Sequence, residues 1–173
     1  MRATPDAVPH LLEVLARAGE DARAVAPRSR RAWLRAARHG RLLLAQVNGQ
    51  DAAWVVQEPC GGGVVEWGGL YVMPAFRQGA VMREITRVAL SLAPCSVVVT
   101  MDARFATYLV QRHGAAEVSL ARAAGVSHGM VLMRRLAPGR WRAALAHLGQ
   151  AHRDGAPVRY LVRRRPAGEV PAL

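Results

Sequence analysis

Apolar and polar positions recur along this chain with two periods, and the changes of period mark the elements. In TPDAVPHLLEVLARAG, Val8, Leu11, Leu12 and Leu15 fall at helical spacing after a cap-like Thr4 and Pro5 at the helix start, with Gly19 as a stop. SRRAWLRAARHG repeats this from a cap-like Ser29 to Gly40, with Trp33, Leu34 and Ala37 on one side and Arg30, Arg31, Arg35 and Arg38 on the other. RLLLAQVNGQDAAWVVQEP gives two β-type runs joined at Asn48-Gly49, a dipeptide suited to a two-residue hairpin turn. GGGVVEWGGLYVMP predicts a third strand, over residues 64–73, after a glycine turn. AVMREITRVALSLAP places Met82, Ile85, Ala89 and Leu92 on one helical face that Pro94 ends. CSVVVTMD is wholly apolar, as a strand covered on both faces should be. ARFATYLVQRHGA predicts a helix closing at Gly114, and AEVSLARAAGVSHGMVLMRRL predicts a pair of strands around a glycine-containing loop.

Two helices, three strands, helix, strand, helix and two strands describe an α/β protein with a mixed sheet. Residues 137–173 add an amphipathic helix (Trp141, Leu145, Leu148), a short strand VRYLV and a tail. The expected organisation is one globular domain over 1–136, followed by a basic C-terminal helix–strand extension over 137–173. At 173 residues and 51% hydrophobic composition, the chain can bury a core of its own. No apolar run approaches the roughly eighteen residues of a membrane span. Asp6 and Glu13 interrupt the apolar part of the N-terminus, against a signal peptide, so a cytoplasmic location is expected. Cys60 and Cys95 form no disulfide framework, and no His or Cys spacing predicts a metal site.

Charge changes the picture more than composition does. The net charge is +12, and every one of the 24 basic residues is Arg. Residues 1–41 hold nine arginines against four acids, residues 42–136 eight against six, and residues 137–173 seven against two. A nearly neutral middle flanked by basic ends implies contact with something acidic, whether nucleic acid, a protein surface or a phosphorylated ligand. RYLVRRRP (Arg159 to Pro166) and SRRAWLRAAR each fit either phosphate contact or a solvated basic surface.

The middle of the chain carries a more specific signal. LYVMPAFRQGAV reads as a strand, a Val-x-Pro-x-aromatic-Arg turn at Val72, Pro74, Phe76 and Arg77, and a helix start; ATYLVQRHGAAEV and GMVLMRRL follow at fitting distances. This order resembles the GCN5-related N-acetyltransferase superfamily over about residues 4–136. The resemblance implies a mixed central sheet flanked by helices and an acyl-CoA-dependent N-acyltransferase acting on an amine, of a small molecule or a protein. It implies that acetyl-CoA pairs its pantetheine arm with the backbone of Leu70, Tyr71 and Val72. The pyrophosphate would rest on Arg77, Gln78, Gly79, Ala80, Val81 and Met82 at the helix start, where amides favour anions. It also implies a carboxylate near the acceptor amine, for which Glu66 is the candidate general base. The alternation Val65-Glu66-Trp67 leaves Glu66 equally suited to a solvent-facing position.

This chain departs from the family pattern at three places. Ala80 stands where the first loop glycine belongs, and Met82 where a second small residue belongs, so Met82 crowds the phosphate unless it turns into the core. The family's helix tyrosine falls at Val110, with Tyr108 two residues away. Asp102 fits a helix N-cap, His113 a helix C-terminus, and His128 a polar loop. Two functions therefore remain open: an acyltransferase with an altered loop and weakened activity, or a non-catalytic module of the same fold whose Arg-rich ends dock on nucleic acid or a larger assembly such as a virion.

Overall fold

The computed structural model describes residues 1–18, 29–77, 79–136 and 157–168. Helices α1 (Ala7–Ala18) and α2 (Arg30–Arg38) lead into the hairpin β1 (Leu42–Val47) and β2 (Gln50–Gly61). Strands β3 (Val64–Trp67) and β4 (Tyr71–Val72), helix α3 (Ala80–Ser91), strand β5 (Cys95–Thr100) and helix α4 (Ala103–His113) follow. The chain closes with β6 (Ala116–Val118), α5 (Leu120–Val126), α6 (Met130–Leu136) and β7 (Arg159–Arg164). These seven strands form one mixed sheet in the order β1-β2-β3-β5-β7-β6, with β4 paired to β2. Two compact units divide the chain, Met1–Glu58 with Trp67–Leu92, and Pro59–Glu66 with Ala93–Val170.

In the first unit the amphipathic faces found in the sequence are the packed ones. Val8 and Leu11 of α1 and Trp33, Ala36 and Ala37 of α2 are buried with Leu42, Leu44, Trp54, Val56 and Tyr71. Ser29 caps α2 by accepting from the Ala32 amide at 3.3 Å. Asn48 and Gly49 both take positive φ (50° and 77°), the left-handed pair that a type I′ hairpin turn needs. Residues 52–57 of β2 are buried without a break, because helices cover both faces of that strand. On the side away from Trp54 and Val56, Gln57 donates from Nε2 to the Ala89 carbonyl of α3 at 2.5 Å.

In the second unit β5 pairs antiparallel with β7, and β7 with β6. Val97, Val162, Cys60, Val64, Ala123 and Val131 form its core. Asp102 caps α4, accepting from the amides of Arg104 at 2.8 Å and Phe105 at 3.1 Å, and Gly114 ends the helix in the left-handed region at φ 63°.

Two sequence expectations are corrected. Residues 64–73 form two short strands rather than one: Gly68 to Leu70 interrupt the run, and β4, like β3 before it, lies alongside β2, pairing with it antiparallel. Residues 116–136 are not a strand pair. After the three residues of β6, Ser119 accepts from the Arg122 amide and starts α5, and a turn at His128 (φ 51°) and Gly129 (φ 75°) leads into α6. Ala, Leu, Met and Arg dominate both segments and favour helix. GMVLMRRL is therefore helical, and the strand that lies beside β5 is the C-terminal RYLVRR. The helix expected around Trp141 to Leu148 lies outside the described residues.

Candidate functional site

Most of the expected cofactor residues meet within the first unit. The register Ala53↔Val72 and Trp54↔Tyr71, with the Met73 amide donating to the Ala52 carbonyl at 2.9 Å, fixes which edge of β4 is occupied. Bonded pairs alternate in an antiparallel ladder. Tyr71 and Met73 thus face β2 with their backbone groups, and Val72 turns its amide and carbonyl to the opposite edge. The Val72 carbonyl accepts from Arg77 Nε at 3.3 Å, and the Arg77 guanidinium carbon lies 5.9 Å from the centre of the Tyr71 ring. Tyr71 itself is buried and stacks on Trp54 with ring centres 5.0 Å apart. Leu70 lies in the bend between β3 and β4.

A single 3-10 turn, Pro74–Phe76, carries the chain from β4 towards α3. Gln78 lies outside the described residues. Gly79 sits at the N-cap of α3 with φ 113° and ψ −137°, a backbone region that is essentially reserved for glycine. It supplies no side-chain cap, the first turn holds no acid, and a Cβ at Gly79 would meet nothing within 4 Å. The amides of Ala80, Val81 and Met82 form the first turn, where an α-helix leaves its N–H groups without internal partners. Ala80 is exposed and Val81 half-buried.

Met82 turns inward. It is half-buried on the face shared by Ile85, Thr86 and Ala89, and its sulfur accepts from Thr86 Oγ1 at 3.8 Å. Thr86 is fully buried, so the thioether packs against the interior side of the helix rather than lying across its amino end.

Glu66 and its surroundings belong to the second unit. Its side chain is 9% exposed and paired with Arg134 Nη1 at 2.8 Å. Arg134 also donates from Nη2 to the Pro59 carbonyl at 2.6 Å, and its Nη1 lies 3.5 Å from Cys60 Sγ. Sequence patterning could not find Arg134 as a partner, because its segment read as a strand. Burial pushes the Cys60 thiol up from its ordinary range, partly offset by the Arg134 charge, and burial does the same at Cys95. Val110, where the family tyrosine would fall, is 41% exposed. Tyr108 lies within hydrogen-bonding distance of His113, Oη to Nε2 3.0 Å, and edge-on to its ring. Among the described residues no group of three or more His, Cys, Asp or Glu could hold a metal ion, and no helix is long and apolar enough to cross a membrane.

With this geometry in hand, the fold can be identified: it is that of the GCN5-related N-acetyltransferases. A Mycobacterium tuberculosis protein solved in complex with CoA superposes with a TM-score of 0.61 at 13% identity, covering 96% of this chain and 98% of that one. N-acetylglutamate synthase from Neisseria gonorrhoeae, solved with coenzyme A and N-acetyl-glutamate, gives 0.58 at 14% identity over 95% of this chain and 34% of its own. Ribosomal-protein-alanine N-acetyltransferase from Brucella melitensis gives 0.56 at 20% identity over 69% of this chain and 85% of its own. No family model and no curated protein matches the sequence.

Proposed function

We propose that this protein is an acyl-CoA-dependent N-acyltransferase acting on an amine. The observation that carries the proposal is the amino end of α3: an uncapped helix start with no acid in its first turn, led in by Gly79 at φ 113°, with Met82 turned away towards Thr86. Such an end favours a phosphate group through its amides and its dipole. In this assignment Ala80, Val81 and Met82 offer backbone N–H groups to a pyrophosphate, and Arg77 and Gln78 lie just before them in sequence. The outward amide and carbonyl of Val72, with Leu70 and Tyr71 beside them, receive the pantetheine arm once Arg77 releases the carbonyl. Acetyl-CoA would supply an activated acyl thioester. That two of the similar structures were solved with CoA supports the choice of cofactor.

Glu66 is the proposed acceptor of the amine proton, directly or through water. Its pairing with Arg134 offers a structural role as well. A Glu66→Gln variant separates the two. Loss of kcat at unchanged thermal stability assigns the proton. Loss of stability with kcat retained assigns structure alone.

Isothermal titration with acetyl-CoA tests the function. Saturable heat is expected, and no heat at millimolar ligand overturns the proposal. Because Met82 packs inward, Met82→Gly is expected to weaken the helix without tightening acetyl-CoA. A tightened affinity would place the Met82 side chain over the phosphate after all.

A further inference from the structure

The outer face of α2 takes no part in the chemistry proposed above. Arg30, Arg31, Arg35 and Arg38 are all exposed on this nine-residue helix, which contains no acid. None of the four forms an ion pair among the described residues. Among the described residues of the same unit, Glu13 pairs with Arg17, Asp51 with Gln46 and His10, and Glu84 with Arg87. At about 100° per residue, Arg31, Arg35 and Arg38 lie within roughly 60° of one another, opposite the mean direction of Trp33, Ala36 and Ala37. Those three are buried, at 1%, 4% and 5% exposure, so the helix carrying the arginines is fixed against the sheet. Beyond its end, the Arg2 side chain lies against Gly40, with Cδ 3.1 Å from where a Cβ would stand. Half-exposed Arg41 follows.

We propose that this face is a docking surface for the sugar–phosphate backbone of a double-stranded nucleic acid. Three permanent cations spaced over a rise of about 10 Å form a dense row of charge on a rigid support. A duplex presents about one negative charge per 1.7 Å of its axis and gains by releasing condensed counterions to such a row. The one aromatic residue of α2, Trp33, is buried, so the face offers no stacking platform to unpaired bases. The expected binding is therefore strongly salt-dependent, indifferent to sequence, and selective for duplex over single strand.

Fluorescence anisotropy with labelled 20-base-pair DNA and RNA duplexes tests this without acetyl-CoA, so the result is independent of acyl transfer. Phosphate contacts by Arg30, Arg31, Arg35 and Arg38 predict a slope of log K against log salt of about −3.6, which is about a hundredfold loss between 50 and 200 mM salt. Arg31→Ala with Arg35→Ala and Arg38→Ala should reduce that slope to about −0.9. The same three positions changed to Lys should keep it. Arg104→Ala with Arg112→Ala and Arg122→Ala removes equal charge from exposed sites on α4 and α5 and should leave the slope unchanged. Equal losses in the two alanine triples would overturn the proposal in favour of net charge alone. Tighter binding to single-stranded oligo-dT, or displacement of the duplex by poly-glutamate at equal charge, would overturn it in favour of a different partner.

Discussion

The arginines of the two units look alike in the sequence and behave differently in the fold. In the first unit the four arginines of α2 are exposed on a packed helix and have no ionic partner among the described residues. In the second unit Arg134, Arg159 and Arg163 are part of the structure, while Arg104, Arg112 and Arg122 are exposed. Arg134 holds Glu66, the Pro59 carbonyl and the neighbourhood of Cys60. Arg159 donates from Nη1 to both carboxylate oxygens of Glu117, at 2.9 and 3.1 Å, across the β6–β7 pair. Arg163 is only 7% exposed. A run such as RYLVRRRP is dense in charge, yet within β7 Arg163 is buried while Arg164, at the end of the strand, is exposed. Density of arginine along a chain therefore does not identify a binding surface. What marks the α2 face is a row of exposed arginines on one side of a packed helix, and that depends on which strand or helix the fold lays alongside.

The largest effect should come from breaking this contrast in the second unit. Arg134→Ala leaves the Glu66 carboxylate buried and uncompensated, which typically costs about 3–5 kcal/mol. Urea unfolding measures it. Replacing both partners, Arg134→Met with Glu66→Leu, should recover much of the loss, because apolar packing of similar volume often matches a buried pair. An Arg134→Ala variant as stable as the parent would show that this pair is solvated and that the two sets of arginines are not different in kind.

Much of the fold was legible because its signals are local. The hairpin at Asn48-Gly49, the caps at Ser29 and Asp102 and the stop at Gly114 depend on residues within a few positions of each other. Residues 116–136 read as strands because apolar runs of four to eight residues do not distinguish strand from helix, and the strand β7 that pairs with β5 lies more than fifty residues beyond it in the chain. The candidate loop was legible as a strand, turn and helix start. The direction of Met82 was not: its sulfur meets Thr86 one turn along, a contact that no pattern of residue types specifies. The Glu66–Arg134 pair joins residues 68 positions apart, beyond any local pattern.

The next effect lies in the first unit and tests backbone rather than charge. Gly79→Ala forces a Cβ onto φ 113°, with open space around it, so the cost is conformational and not a clash. About 1–3 kcal/mol is expected for such a residue. If the variant keeps its stability, the segment adjusts freely, and acetyl-CoA titration of the same variant shows whether the amide geometry matters. A smaller loss, about 1 kcal/mol, should follow Asp102→Ala, which removes the acceptor for two amides at the start of α4. Asp102→Ser should restore most of it, since serine caps as well.

The smallest effect is the one that most sharply tests the comparison. Removing Arg31, Arg35 and Arg38 together should change stability by no more than about 0.5 kcal/mol, as expected for exposed positions without partners. The sign should be neutral to favourable. Arg31 and Arg35 lie four apart and Arg35 and Arg38 three apart, so each pair repels by a few tenths of a kcal/mol on a helix surface. Alanine is also the strongest helix former. A thermal midpoint equal to or above that of the parent, beside a large loss for Arg134→Ala, would show arginines retained at a cost to the fold in one unit and used to build it in the other. A loss above about 1 kcal/mol on the α2 face would mean that these side chains hold the structure together, and the contrast between the units would fail.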